Sequence, residues 1–298
     1  MPTPLVATLI SNPANPAISA ELAARAAAAV NASQTNWLAD TIACDLCLSD
    51  SMDKAIAETI LRELLDGEAV DIAVQEQQSR RKQALIADMD STMIDQECID
   101  ELAAEAGFGE HVARITARAM NGEIAFEPAL RERVALLKDL PLSVIDSVLR
   151  DRITLAKGGR ELIATMRANG AWTALVSGGF TLFTGPVAAM LGFDENRANM
   201  LHHENGHLTG TVGEPILGKQ AKVDALNAVA RDRKLTQKDF IAVGDGANDL
   251  GMLQLAGTGV ALHAKPSVAA QADIRIDHGD LTALLYLQGY RARDFVAA

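Results

Sequence analysis

The chain has 298 residues, of which 49% are hydrophobic and 22% are charged, which is typical of a folded globular protein of about two domains. Its 27 Lys and Arg against 39 Asp and Glu give a net charge of −12, which argues against a general binder of nucleic acid or of an anionic membrane. Three cysteines, no apolar run of about 20 residues and no basic signal-type start favour a cytoplasmic protein.

The first 80 residues predict a small α/β module. Short apolar or alternating runs predict strands and i+4 apolar stripes predict helices, in the order strand Leu5–Ile10, helix 18–30, strand 37–48, helix 52–65 and strand 70–74. The polar segment 75–83 has no hydrophobic periodicity and predicts a linker. A second domain would then cover 81–298.

This second domain begins with a short apolar strand, Ala84–Ala87, and continues into a region that is helical throughout, from about 97 to 150. After residue 158, helices alternate with strands, and Asn205-Gly206 predicts a hairpin within 202–213. The further strands are predicted at 173–176, 240–243, 259–262 and 274–276. This alternation predicts a parallel sheet with helices on both faces.

Acidic residues follow two of the predicted strands directly. Asp88 and Asp90 come after Ala84–Ala87, and Asp245 lies between two glycines after strand 240–243. The carboxyl ends of parallel strands line the ligand crevice of such sheets, and side chains at i and i+2 share a face. Close carboxylates repel each other unless a cation or a shared proton intervenes, and a hard metal such as Mg2+ suits oxygen ligands. Taken alone, the Asp88 segment would equally suit an ordinary capped turn, and the Asp245 segment would suit such a turn better than a site.

Two further segments carry groups that suit an anion. Ser177 with Gly178 and Gly179 follows strand 173–176 and offers a hydroxyl and backbone N–H groups, although Ser-Gly is also common turn chemistry. Lys222 lies beside the buried stripe of the next helix, with Lys219 one turn earlier as its competitor. Most lysines on helices are simply solvated.

In this order and spacing, DMDST, SGG, Lys222 and GDGANDL resemble the haloacid-dehalogenase superfamily of aspartate-nucleophile phosphatases. Within it, the segments DMDSTMIDQECID and MNGEIAFEPALRERVALL are similar to the bacterial phosphoserine phosphatases. The resemblance covers about residues 83–290. It implies a Rossmann-like sheet with a helical cap inserted at about 97–157.

The resemblance also implies a role for each matching residue. Asp88 would attack phosphorus to form an aspartyl-phosphate, and Asp90 would protonate the leaving serine oxygen and later activate water. The Asp88 carboxylate, the Asp90 main-chain carbonyl and the Asp245 carboxylate would hold Mg2+. Phosphate oxygens would be held by Ser177, Gly178, Gly179 and Lys222, with Asn248 close by and Asp249 supporting the metal or pairing with Lys222.

Four cap residues match family positions that contact the rest of the substrate. Arg133 would bind the substrate carboxylate, Glu97 would bind its ammonium, and Met120 and Phe126 would shield it. Arg133 also lies on the apolar stripe of helix 128–139, where an arginine either meets an anion or covers apolar surface with its stem. Glu97 would suit the first turn of a helix, and Met120 and Phe126 would suit helix core.

The implied function is Mg2+-dependent hydrolysis of O-phospho-L-serine, the last step of L-serine biosynthesis. A related enzyme acting on another small phosphorylated amino acid or alcohol, or transferring the phosphoryl group, is the nearest alternative. A phospho-accepting receiver module is disfavoured by the chain length, and an amino-acid sensor would rely on the first 80 residues. Those residues resemble a shortened ACT-like module for regulation or dimerisation, so a homodimer is possible.

Overall fold

A computed structural model describes residues 4–120 and 123–297, apart from the side chains of 119 and 120. The N-terminal part is a four-stranded antiparallel sheet of order β2-β3-β1-β4 with two helices. Its elements are β1 (Leu5–Ile10), α1 (Ala20–Ala29), β2 (Gln34–Ala39), β3 (Ala43–Cys47), α2 (Lys54–Leu64) and β4 (Asp71–Glu76). The single strand predicted over 37–48 is wrong: Thr41 has a φ of 57°, and the chain turns there between β2 and β3.

A six-stranded sheet follows, and its strand pairs are all parallel. Its strands are β5 (Ala84–Ala87), β6 (Trp172–Phe180), β7 (Glu195–Asn199), β10 (Phe240–Gly244), β11 (Thr258–Leu262) and β12 (Ile274–Ile276), in the order β12-β11-β10-β5-β6-β7. Strands β8 (Leu201–Glu204) and β9 (His207–Val212) form the predicted hairpin. The predicted α/β fold class with a small N-terminal domain is therefore confirmed, although β7 was not predicted from the sequence.

Helices cover both faces of the six-stranded sheet. After β5 the helices are α3 (Cys98–Glu105), α4 (Gly109–Met120), α5 (Phe126–Ala135), α6 (Ser143–Asp151), α7 (Gly159–Ala168), α8 (Thr181–Leu191), α9 (Lys219–Arg233), α10 (Leu250–Leu255), α11 (Pro266–Ala269) and α12 (Ala283–Leu287). Strand alternation divides the core: Leu85 packs on one face with α7 and α8, and Ile86 on the other with α9 and α10. No helix in the described part of the chain is long and apolar enough to cross a membrane.

The chain adds strands on opposite sides of the central pair, β5 and β10. After β5 it moves to β6 and β7 on one side, and it later returns through β10 to β11 and β12 on the other. Because β5 and β10 are neighbours, their carboxyl ends meet where the strand order reverses. Ligands bind at such switch points in open α/β sheets.

The N-terminal sheet packs directly against the second domain. One face supports α1 and α2, whereas Ile10, Ala43 and Ala73 on the other face join the hydrophobic core that contains Leu284 of α12. The buried Asp71 carboxylate accepts hydrogen bonds from the N–H groups of residues 277, 278 and 279, at 2.7, 3.2 and 2.7 Å. These contacts fix the sheet to the loop that follows β12.

The polar segment predicted as a linker begins inside β4 and is engaged along its length. The Arg80 guanidinium forms a buried ion pair with Asp45, at 2.7 Å. Lys82 is also buried, and its ammonium donates to the carbonyl oxygen of Lys238 at 2.9 Å. The connection between the two sheets is therefore held against both of them.

Helices α3–α6 are inserted between β5 and α7, and the β8–β9 hairpin holds the connection between α5 and α6. The Asp139 N–H donates to the Leu208 carbonyl at 2.9 Å, and the Leu208 N–H donates to the Leu140 carbonyl at 2.8 Å. The Leu142 N–H donates to the Gly206 carbonyl at 2.9 Å. The hairpin thus ties this end of the helical insertion to the main sheet.

Candidate active site

Asp88 lies at the carboxyl end of the central strand β5 and is 5% exposed. Its N–H donates to the carbonyl of Val243 at the end of β10, at 3.0 Å. Its carboxylate oxygen Oδ1 accepts from the Met89 N–H at 2.8 Å and lies 2.6 Å from Lys222 Nζ. Parallel pairing of two apolar strands therefore presents this carboxylate in the crevice, with one oxygen fixed by two donors.

Lys222 is buried in the first turns of α9, whereas its competitor Lys219 is exposed. The ammonium also lies 2.5 Å from Asp249 Oδ1. Burial favours the neutral amine, but the charges of Asp88 and Asp249 outweigh it and raise the pKa of Lys222. The lysine is therefore a fixed, fully buried cation at the switch point.

Three carboxylates gather around this cation. Oxygens of Asp88, Asp245 and Asp249 lie within 4.8 Å of one another. Burial and the charge of Asp249 raise the pKa of Asp245 to about 6, and burial raises that of Asp88 well above its usual range despite Lys222. One lysine does not balance three acids, so the donor set fits an additional hard cation of the Mg2+ type.

The glycines around Asp245 allow this packing. A Cβ at Gly244 would overlap the Asp249 side chain, and one at Gly246 would overlap Asn248 Oδ1. The Gly246 N–H donates to Asp249 Oδ2 at 2.9 Å. Asn248 itself is exposed at the mouth of this turn.

Asp90 points from the end of β5 towards the end of β6. It accepts from Ser177 Oγ at 2.9 Å and from the Cys98 N–H at 2.9 Å. The Gly179 N–H donates to Ser177 Oγ at 2.8 Å, and a Cβ at Gly179 would come within 3.1 Å of Asp90 Oδ2. The predicted serine–glycine segment therefore lies beside the two aspartates.

Phe126 and Arg133 approach from the helical insertion. The ring of Phe126 lies over Gly178, where an added Cβ would be 3.5 Å from it. Arg133 is partly buried, and its guanidinium donates to Thr116 Oγ1 at 3.4 Å and to the Ala129 carbonyl at 3.3 Å. The predicted Met120 ends α4, and its side chain lies outside the described residues.

Glu97 precedes the first turn of α3 without capping it. Its carboxylate accepts from Ser91 Oγ at 2.9 Å, and Ser91 itself occupies a turn with a φ of 55°. Partial desolvation in the cleft and the charge of Asp90 raise the pKa of Glu97 to about 7, although the side chain still reaches solvent. The acid thus faces the same cleft as Asp90.

The structure adds Asn199 and Thr92 to the site, and neither role was predicted from the sequence. Asn199 is 2% exposed at the end of β7 and donates to the carbonyls of Gly178 and Leu217, at 2.8 and 3.1 Å. It accepts from the Leu217 N–H at 2.7 Å. Thr92 Oγ1 donates to Asp245 Oδ1 at 3.3 Å. Asn199 therefore joins the last part of β6 to the segment that leads into α9.

A family model for haloacid dehalogenase-like hydrolases matches residues 85–254. The phosphoserine phosphatase of Lactococcus lactis is 47% identical over 204 residues, which are 68% of this chain and 94% of that protein. That of Haemophilus influenzae is 45% identical over 220 residues, or 73% and 70% of the two chains. The crystal structure of a probable phosphoserine phosphatase from Vibrio cholerae aligns with a TM-score of 0.79 at 32% identity and covers 98% and 88% of the two chains.

Proposed function

Because the chain belongs to the haloacid dehalogenase-like hydrolases and, within them, to the phosphoserine phosphatases, we propose that it hydrolyses O-phospho-L-serine to L-serine and phosphate. The observation that carries this proposal is the group of Asp88, Lys222 and Asp249, all buried at the switch point, with the half-buried Asp245 and the buried Ser177 alongside. It combines a fixed nucleophile with donors for a phosphoryl group.

Asp88 is the proposed nucleophile. Lys222 and the Met89 N–H hold Oδ1, which leaves the other carboxylate oxygen to attack phosphorus. A bond forms between this oxygen and phosphorus, and the bond from phosphorus to the serine oxygen breaks. The Lys222 ammonium, the Ser177 hydroxyl and the N–H groups of Gly178 and Gly179 offset charge on the phosphoryl oxygens.

Asp90 is the proposed general acid and base. Its side chain accepts from Ser177 Oγ and the Cys98 N–H, which directs it towards the serine–glycine segment 177–179. In protonated form it gives its proton to the departing serine oxygen. As a carboxylate it then takes a proton from the water that attacks the aspartyl-phosphate, which releases phosphate and restores Asp88.

The acidic cluster fits Mg2+. The carboxylates of Asp88 and Asp245 would hold the ion, together with the main-chain carbonyl of Asp90 that the family resemblance implies. When bound, the ion supplies positive charge that offsets the phosphate and the nucleophile. Asp249 keeps Lys222 in place from the other side. In the cleft, Arg133 provides a cation for the substrate carboxylate and Glu97 an anion for its ammonium.

Steady-state kinetics on a panel of phosphomonoesters tests the proposal. With Mg2+, kcat/KM for phosphoserine should exceed that for phosphothreonine, sugar phosphates and nucleotides, and a chelator should stop turnover until Mg2+ is restored. A higher kcat/KM for another ester, or transfer to an added alcohol in place of hydrolysis, would reject phosphoserine hydrolysis as the function. Turnover that a chelator does not affect would reject the metal site.

A further inference from the structure

Asp100 carries a buried oxygen that has no partner. It lies in the first turn of α3, three residues after Glu97 and therefore on the same side of the helix. Among the buried side-chain nitrogen and oxygen atoms that the structure describes, Asp100 Oδ1 is the one without a hydrogen bond. Leaving a carboxylate oxygen buried and unpaired is unfavourable, so such atoms in folded proteins call for a functional reason.

Charged residues of the cleft act on Asp100. Burial raises the pKa of its carboxyl, the positive charge of Arg133 lowers it, and the negative charge of Asp90 raises it. Arg133 nevertheless directs its guanidinium to Thr116 and to the Ala129 carbonyl. Asp100 is thus within electrostatic range of both Arg133 and Asp90, and its Oδ1 forms a hydrogen bond with neither.

We propose that Asp100 is a second acceptor for the ammonium group of the substrate, beside Glu97. This inference rests on the proposed function. An ammonium has three N–H donors, and one oxygen of Glu97 already accepts from Ser91. A cation placed between the two acids would pair the free oxygen of Asp100. Asp100 is then a specificity-determining residue that favours phosphorylated amines over hydroxy acids of the same shape.

Three substrates distinguish recognition of the ammonium group from recognition of the carboxylate group. O-phospho-L-serine carries an ammonium and a carboxylate, O-phosphoethanolamine carries only the ammonium, and 3-phosphoglycerate carries the carboxylate with a hydroxyl. For Asp100→Asn we expect kcat/KM to fall about 10- to 100-fold on both amines, mainly through KM, with little change on 3-phosphoglycerate. The melting temperature should equal or exceed that of the unchanged protein, because the substitution removes an unpaired buried charge.

Glu101→Gln is the matched control, since Glu101 is in the same helix and pairs at the surface with Arg152, at 3.3 Å. It should leave all three kcat/KM values unchanged. Equal losses of Asp100→Asn on the three substrates would assign Asp100 a structural role and overturn the inference. Losses on the two carboxylate substrates alone would overturn it by showing that Asp100 acts through Arg133. If the unchanged protein does not hydrolyse phosphoserine, the proposed function fails and the inference fails with it.

Discussion

Replacing Asn199 by alanine tests whether β7 positions the serine–glycine segment 177–179 at the end of β6. The change removes three hydrogen bonds, at 2.7, 2.8 and 3.1 Å, and leaves the Gly178 carbonyl and both backbone groups of Leu217 without them. A net hydrogen bond contributes about 1 kcal/mol, and a buried group left unpaired costs about 1–3 kcal/mol. Water can reach Gly178 and Leu217 in part, so we expect the free energy of unfolding to fall by about 2–4 kcal/mol.

Phosphatase activity should fall as well, because the segment that carries Gly178 would no longer be held in place relative to α9. Misplacing a catalytic group by about 1 Å can reduce the rate about 100-fold. We therefore expect Asn199→Ala to lower kcat/KM by about 10- to 100-fold on phosphoserine and equally on p-nitrophenyl phosphate, since both need the phosphate site. Urea unfolding and steady-state kinetics measure the two effects.

Asn196→Ala is the matched control in the same strand. The Asn196 side chain accepts one hydrogen bond, from Thr184 Oγ1 at 2.8 Å, on the side of α8. It should cost about 1 kcal/mol in stability and leave kcat/KM unchanged. If Asn199→Ala has the same free energy of unfolding and the same kcat/KM as Asn196→Ala, β7 does not position Gly178.

Three further predictions concern other parts of the molecule. Asp88→Asn should lower kcat by at least about four orders of magnitude while the circular dichroism spectrum stays unchanged; retained turnover would show that Asp88 is not the nucleophile. Arg133→Ala should raise KM for phosphoserine about 10- to 100-fold and spare p-nitrophenyl phosphate, which has no carboxylate; equal losses would contradict the carboxylate role. Asp71→Ala should lower the free energy of unfolding by about 2 kcal/mol or more, since it leaves three N–H groups unpaired; a urea midpoint equal to that of the unchanged protein would contradict this.

The residues placed together in the crevice could be predicted because they follow apolar strands. Asp88, Ser177 and Asp245 each come directly after such a run, and parallel pairing brings the ends of neighbouring strands to one edge. Lys222 was harder to distinguish from Lys219 by spacing alone, and burial in α9 separates them. The family resemblance supplied the roles, which periodicity does not contain.

Asn199 could not be predicted, because the strand that carries it has no apolar alternation. β7 reads ENRAN and lies at the edge of the sheet, where a strand need not bury both faces. Asp100 resembles any acid in a first helical turn until the surroundings of its oxygen are known. The packing of the N-terminal sheet against α12 could not be predicted either, because the face towards α12 includes the small residues Ala43 and Ala73, which give no strong apolar pattern.

The core shared by the N-terminal sheet and α12 has a consequence for how the protein responds to ligands. Because Ile10, Ala73 and Leu284 belong to one hydrophobic cluster, neither part can open without exposing apolar surface of the other. The two parts should therefore melt in a single cooperative transition. A ligand that binds either part in its folded form would raise the melting temperature of both, by an amount set by its concentration relative to Kd.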